Sequence, residues 1–265
     1  MADWSPKRYL RFEDERTRPA RDLLAQVQPD RVRKAVDVGC GPGNSTELLA
    51  VRFPEAEVIG IDNSPAMLEE ARRRLPAMRF ELADAAQWTP DPEVELVFAN
   101  ATFHWIPHHL EQLTRIFFAL SSGATLAVQM PDNTEEPTHR LMREVALAKQ
   151  WSAPLTGAVR DPLPIARVYY EALRPAAHRL DVWRTTYQHV LPDAAAIVDF
   201  VRATGLRRFL DPLQESERAE FLALYTDRVA AAYPPLAGGN VMLAFPRLFI
   251  IAERGAPRSA DPSHG

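Results

Sequence analysis

Cysteine occurs once in the 265 residues, at Cys40, so no intramolecular disulfide is available and nothing asks for an oxidising compartment. No Cys/His cluster has the spacing of a metal site, and no metal is expected. Long apolar runs are also missing. None approaches the roughly 18 residues that cross a bilayer, and the first residues place no apolar stretch behind their charges. The chain is therefore expected to be neither exported nor membrane-embedded, and to be cytoplasmic. A basic excess is absent too, since 31 Lys and Arg stand against 35 Asp and Glu, a net charge of −4. That balance gives no overall field favouring nucleic acid, and a small-molecule partner is expected. There is no internal repeat.

What is present is the composition of an ordinary globular protein, 46% hydrophobic and 25% charged. Its length suits one large domain or a domain with an insertion. Through the first half, strands alternate with helices, the pattern of a parallel sheet covered on both faces. Strands are expected at 35–38, 57–61, 78–82, 94–99 and 124–129. Helices are expected at 44–52, from Pro65 through Ala71, and through Leu110, Leu113, Ile116, Phe117 and Leu120. After Asn133 the rhythm changes. A helical stretch at 137–151 precedes a long strand at 179–190, helical patterns at 193–204 and 216–233, and a final apolar strand at 241–252. The expectation is an α/β fold with a mostly parallel seven-stranded sheet, an antiparallel last strand and a helical lid inserted before it. Residues 1–254 read as one domain, with 30–130 as a ligand-binding half, 134–178 and 191–238 as cap elements, and 255–265 as a loose tail.

Glycine is scarce at 11 residues, yet Gly39, Gly41 and Gly43 fall together between a strand and a helix. There the chain can turn sharply and present bare backbone amides to a ligand. A dinucleotide loop would want a glycine at position 44, which is Asn44, and no Gly-Lys-Ser/Thr follows for a phosphate-cradling loop. Both phosphate readings weaken. Asp37, two positions ahead of Gly39, would repel phosphate and suits an amino group. S-adenosylmethionine has an ammonium and a carboxylate but no phosphate, and this loop chemistry fits it.

Two more acids follow in order. Asp62 lies 23 positions after Gly39 at the end of the second strand, close to the roughly 20 expected for a ribose-binding carboxylate. Asp84 ends the third strand, where its side chain and the following Ala85 amide can meet the adenine edge. Taken singly, each acid could simply cap the next turn or helix, and for Asp84 alone the two readings are balanced.

The ordered segments D-V-G-C-G-P-G-N, G-I-D-N-S-P-A-M-L, A-D and F-A-N-A-T-F-H-W resemble the class I S-adenosylmethionine-dependent methyltransferases. Outside that core, V-Q-M-P-D-N, P-T-H-R-L-M-R-E, W-R-T-T-Y, A-T-G-L-R and A-F-P-R-L-F are similar to small-acid carboxyl methyltransferases of the class. The resemblance implies methyl transfer from S-adenosylmethionine to one carboxylate of a tricarboxylate, trans-aconitate, with S-adenosylhomocysteine as the second product. It implies cofactor contacts at Asp37, Gly39, Gly41, Gly43, Asn44, Asp62, Asn63, Asp84, Ala85 and Asn100. Asn100 opens its loop as in amino-directed relatives, but Ala101-Thr102-Phe103 stands where Pro-Pro-aromatic would follow, which disfavours a nitrogen acceptor.

A carboxylate with a pKa near 4 is already ionised at neutral pH, so no strong general base is required. The task is alignment in a dry site, and orienting residues are expected rather than a triad. His104 and Trp105, beyond the fourth strand, could touch the methyl or the acceptor, although His104 could equally be a packing histidine at a helix entry. Two unreacted carboxylates need neutralising, which arginine's fork does better than lysine. Arg184 and Arg247 lie on apolar late strands where an unpaired charge would be costly, the competing role being a structural salt bridge. Gln129 and Asn133 are further acceptor candidates; Tyr9 and Arg18 could contact the methionine carboxylate of the cofactor or the acceptor, a charge-rich solvated helix face being the plainer account of their run. An RNA or other nitrogen acceptor and a noncatalytic cofactor-binding protein remain alternatives, and monomer and homodimer are both open.

Overall fold

The protein is described from a computed structural model over residues 12–28, 31–147, 151, 155 and 157–256. It divides into two compact units. One, the sheet unit, comprises Asp14–Met130, Pro164–Arg184 and the chain from Leu248 onward; the other, the helical unit, contains Pro131–Leu163 and Thr185–Arg247.

In chain order the elements begin with α1 (Glu13–Leu24), β1 (Lys34–Val38), α2 (Asn44–Arg52), β2 (Glu57–Asp62) and α3 (Pro65–Arg74). Then come β3 (Arg79–Leu82), β4 (Leu96–Asn100), a 3-10 turn at Phe103–Trp105, α4 (His109–Ala119) and β5 (Thr125–Pro131). The second half holds α5 (Pro137–Ala146), α6 (Ala166–Leu173), β6 (Ala177–Leu191), α7 (Ala194–Arg202), α8 (Arg207–Leu210), α9 (Glu215–Ala232) and β7 (Val241–Arg254). The strands form a seven-stranded sheet in the order β3-β2-β1-β4-β5-β7-β6. β1 to β5 are parallel, with Val38 beside Ile61, Asp37 beside Phe98 and Asn100 beside Gln129.

β7 runs the other way. The Arg254 amide donates to Ala124 at 2.8 Å while the Asp132 amide donates to Pro246 at 3.0 Å, so one strand descends as its neighbour rises. Gly255 donates to Ala176, the residue just before β6, which places the start of β6 beside the end of β7.

Val36, Val38, Leu96, Val97, Phe98, Leu126 and Val128 are at most 3% exposed, and such unbroken apolar strands suit a sheet covered on both faces. The turns are set by local chemistry. Gly43, left-handed at φ 91°, caps α2, and the Ser64 hydroxyl accepts from the Met67 amide at 3.2 Å ahead of Pro65 at the start of α3.

The helical unit has its own core. α5 buries Thr138, Leu141, Met142 and Val145, and α9 buries Phe221, Tyr225 and Val229, each set at helical spacing. Trp151 meets Phe221 edge-on at 5.2 Å, and Phe200 meets Phe245 at 5.4 Å. Asp193 caps α7, and Gln214 with Glu217 forms a capping box on α9.

Several element bounds depart from the sequence expectation. The helix expected at 137–151 is regular only to Ala146, and α6 forms ahead of the long strand, where no helix was expected. Pro175, just beyond the C-cap Arg174, stops α6. Among the described residues, no helix is long and apolar enough to cross a membrane, and no group of His, Cys, Asp or Glu could hold a metal ion.

Candidate active site

The site grows from the carboxyl ends of β1, β2, β3 and β4 in the sheet unit. Asp37, the penultimate residue of β1, is fully buried. Its Oδ2 accepts from the Ser45 and Thr46 hydroxyls, both at 2.7 Å, while Oδ1 has no partner among the described residues. Burial raises its pKa to about 6, against the lowering influence of Thr46 and Ser45, and the nearby charge of Asp62 adds to the rise. An unpartnered, desolvated acceptor of this kind is costly unless a cationic or donor group completes it.

The three glycines have three different reasons. A Cβ on Gly39, at φ +70°, would stand 2.2 Å from Thr102 Oγ1, so this residue is bare because β4's following turn packs against it. A Cβ on Gly41, at φ +55°, would meet nothing within 4 Å among the described residues, leaving room for a ligand to approach the backbone. Gly43 is needed for its φ of +91° at the helix cap. Loop position is fixed by the Gly39 and Cys40 amides, which donate to the Ile61 carbonyl at 2.7 and 3.0 Å.

Asp62 ties loop and second strand together, Oδ2 accepting from the Gly41 amide at 2.9 Å and Oδ1 from the Ser64 amide at 2.8 Å. Asn63 beside it is exposed. Asn44 is buried, and its Nδ2 donates to Thr17 Oγ1 of α1 at 3.4 Å. Asp84 is exposed, with Oδ1 accepting from the Ala86 amide at 2.9 Å, and Ala85 is half-buried. At the end of β4, Asn100 leaves a buried Oδ1 without a partner among the described residues, and Ala101 takes a left-handed φ of 58°. Such strain in a non-glycine residue gathers at functional turns. The Ala101 amide donates to the carbonyl of buried Gln129, and the Thr102 hydroxyl donates to Val38. His104 is buried and its ring lies 4.6 Å from that of half-buried Trp105.

Cys40 is buried beside the loop, and burial pushes its thiol up, so it is no ready nucleophile.

The acceptor candidates are distributed less evenly. Arg18 is exposed on α1 with Asp22 at 4.0 Å, the solvated face anticipated as the plainer account, and Tyr9 lies outside the described residues. Arg184 belongs to the sheet unit and is exposed, which removes the burial argument made for it. Arg247 belongs to the helical unit and is 3% exposed, its guanidinium 4.9 Å from the centre of the Phe245 ring and 5.9 Å from that of Tyr187. Asn133, also in the helical unit, is buried and its Oδ1 accepts from Arg160 at 3.1 Å.

Ser45, Thr46, Thr102 and Arg160 were not singled out from sequence. A hydroxyl pair on the first turn after a glycine loop was a readable signal for the Asp37 partners. Nothing local to Arg160 marked it.

A methyltransferase-domain family model matches residues 35–123. A trans-aconitate 2-methyltransferase of Rhodopseudomonas palustris strain BisB5 is 58% identical over 254 residues, covering 95% of this chain and 99% of the relative. The one from Methylobacterium radiotolerans is 56% identical over 264 residues, 97% of this chain and 100% of the relative. Among solved structures, the Bacillus subtilis YcgJ protein superposes with a TM-score of 0.59 at 12% identity, covering 91% of this chain and 99% of that one. A Haemonchus contortus phosphoethanolamine N-methyltransferase 2 in complex with S-adenosyl-L-methionine gives 0.54 at 14% identity, over 90% of this chain and 53% of that one. At such identities the likeness is one of fold.

Proposed function

The chain belongs to the trans-aconitate 2-methyltransferase family, and from that premise we propose that it transfers the methyl group of S-adenosylmethionine to one carboxylate of trans-aconitate. The products are the monomethyl ester, (E)-3-(methoxycarbonyl)pent-2-enedioate, and S-adenosylhomocysteine. The observation that carries this reading is identity above one half along nearly the whole of both chains, helical unit included.

The residues present suit the cofactor. Asp37 Oδ1 and Asn100 Oδ1 are buried acceptors without partners among the described residues, and Gly41 opens onto space. Acids and bare amides, with no phosphate-pairing cation on the loop, match an ammonium-bearing ligand. Asp37 and the Gly39–Gly43 loop would hold the amino-acid end. Each carboxylate oxygen can accept more than one hydrogen bond, so the ribose hydroxyls can join the Gly41 and Ser64 amides on Asp62. Asp84 and Ala85 would face adenine, with Asn44, Asn63 and Asn100 completing the shell.

When bound, S-adenosylmethionine supplies a methyl group on a sulfonium, and the acceptor carboxylate is the nucleophile. The chain's part is to hold that carboxylate in line and keep water out, which can supply about 7–11 kcal/mol of the barrier reduction. His104 and Trp105, packed on one another, orient rather than exchange protons in this scheme. Arg247, backed by two aromatic faces, neutralises an unreacted carboxylate.

The test is purified protein with labelled S-adenosylmethionine and trans-aconitate, cis-aconitate, isocitrate or citrate, followed by mass spectrometry of the ester. An ester from trans-aconitate is expected; none from any of the four would sink the acid-acceptor reading.

A further inference from the structure

The Thr102 hydroxyl faces the carbonyls of Val38, Gly39 and Asn100 at 3.0, 3.3 and 3.4 Å, and so meets the ends of two neighbouring strands, β1 and β4, at once. We propose that Thr102 is a positioning residue of the methyl transfer: its hydroxyl registers the turn carrying His104 and Trp105 against the glycine loop of the cofactor site. The kcat side of this inference rests on the proposed acceptor, and the binding side on the cofactor alone.

Every part lies in the sheet unit. The hydroxyl has one proton, and its shortest contact assigns that proton to the Val38 carbonyl. The same side chain closely covers Gly39, where a Cβ would stand 2.2 Å from Oγ1, 2.3 Å from Cγ2 and 2.8 Å from Cβ. Methyl and hydroxyl therefore act differently at one place. The methyl fills the space that Gly39 leaves bare, and the hydroxyl ties the turn to β1.

The main chain of Thr102 reaches the other way. Its carbonyl accepts from the Trp105 amide at 3.0 Å, closing the 3-10 turn Phe103–Trp105, of which Thr102 is the N-cap. The Ile106 amide then donates at 2.9 Å to the carbonyl of Phe103, itself fully buried. On the opposite flank Ala101 is held left-handed at φ 58°, its amide donating to the Gln129 carbonyl of β5 at 2.9 Å. A non-glycine residue keeps such a conformation where its surroundings over-determine it, and the bonds of Ala101 and Thr102 do so here. One residue thus joins the loop at Gly39 to His104 and Trp105 through a short side chain and a single turn. Over so short a path the loop and the turn move together, and a misplacement of about 1 Å can cost about a hundredfold in rate.

Three variants separate the hydroxyl from the methyl. T102V keeps the shape and loses the hydroxyl, T102S keeps the hydroxyl and loses the methyl, and T102A loses both. Steady-state kcat and KM are measured with trans-aconitate, S-adenosylhomocysteine affinity by calorimetry, and stability by thermal melting. T102V is expected to bind S-adenosylhomocysteine about fivefold more weakly, the scale of one neutral hydrogen bond. Its kcat should fall about tenfold or more while its trans-aconitate KM stays within about threefold. T102S, with the hydrogen bond retained, should bind S-adenosylhomocysteine within about twofold of wild type and keep at least about a third of its kcat. A packing role alone gives the opposite order, T102S impaired and T102V near wild type, and that order overturns the proposal. So does a T102V that melts lower while its kcat and S-adenosylhomocysteine affinity stay within about twofold of wild type. Should T102V fail to fold, T102A against T102S reads the hydroxyl alone, and equal values in the two overturn the proposal. Wild-type protein that makes no ester from trans-aconitate defeats the acceptor reading instead, and the binding comparison of T102V with T102S still decides the role of Thr102.

Discussion

The Gly41 amide donates to Asp62 Oδ2 at 2.9 Å, joining the turn after the first strand to the end of the second across 21 positions of sequence. The other Asp62 oxygen holds the Ser64 amide at the entrance of α3. One carboxylate therefore sets the shape of the glycine loop and the start of a helix, and in the proposed reading it also meets the ribose. Its role in the loop and its role toward the cofactor cannot be separated by removing it.

A graded pair of substitutions separates them in degree. Asp62→Asn keeps one carbonyl oxygen for the Gly41 amide and loses the charge, whereas Asp62→Ala loses both amide contacts. Hydrogen bonds to a charged group are worth about 1.5–3 kcal/mol, so Asp62→Ala should lower stability by at least about 2 kcal/mol and weaken S-adenosylhomocysteine binding more than tenfold. Asp62→Asn should cost less stability and nearly as much affinity. Calorimetric titration and thermal melting of both variants decide this; equal affinity in Asp62→Asn and wild type would remove the ribose role.

Gly39 and Gly41 make a second contrast. Gly39→Ala drives a Cβ to within 2.2–2.8 Å of the Thr102 side chain at φ +70°, and should destabilise the fold by about 2 kcal/mol or more. Gly41→Ala meets no atom of the described residues within 4 Å and pays only for φ +55°, about 1 kcal/mol. Its effect belongs to the ligand, so S-adenosylhomocysteine affinity should fall about tenfold or more while melting changes little. A melting loss at Gly41 equal to that at Gly39 would contradict the assignment.

These residues also mark what the sequence alone could carry. Parallel strands announce themselves as β-branched runs ending at polar turns, so the placing of Asp37 and Asp62 at strand ends was legible, whereas Asp84, expected at the end of the third strand, lies two positions past β3. The cap of α3 at Ser64-Pro65 was legible for the same local reason. The reason for Gly39 was not, since its neighbour Thr102 is 63 positions away and only the pairing of β1 with β4 brings them together. Arg184 and Arg247 looked alike because both interrupt apolar strands, yet exposure depends on which face and which unit each strand residue joins. Asn133 and Arg160, 27 positions apart, meet through tertiary contact that no period reports.

That difference in exposure yields a third expectation. Arg247→Ala removes a buried cation backed by Phe245 and Tyr187, and the trans-aconitate KM should rise about tenfold or more, as expected for a lost charge-assisted contact. Arg184→Ala, at an exposed position, should leave KM within about threefold and stability within about 0.5 kcal/mol. Steady-state kinetics with saturating S-adenosylmethionine check both. A large KM effect at Arg184 with none at Arg247 would reverse the assignment.

The Asp37 carboxyl gives a pH signature whose sign is fixed by its burial. Its pKa is raised from 3.8 to about 6 in the folded protein, so between about pH 4 and pH 6 the native state binds the proton that the unfolded state has released. Stability must therefore fall as pH rises through that window, by an amount on the order of 3 kcal/mol once both states are ionised. Asp37→Asn mimics the neutral carboxyl and still offers an oxygen to Ser45 and Thr46. The variant should melt higher than wild type at pH 7.5, and the gap should close as pH falls toward 4. Cofactor binding should move in the opposite direction, because an ammonium beside Oδ1 favours the ionised acid: the variant should bind S-adenosylhomocysteine about tenfold or more weakly at pH 7.5, the scale of a charge-assisted hydrogen bond. Wild type should release a proton on binding near pH 6, visible as a dependence of the binding heat on the buffer's ionisation enthalpy. A melting gap that stays constant from pH 4 to 7.5 would show that Asp37 does not titrate in this window.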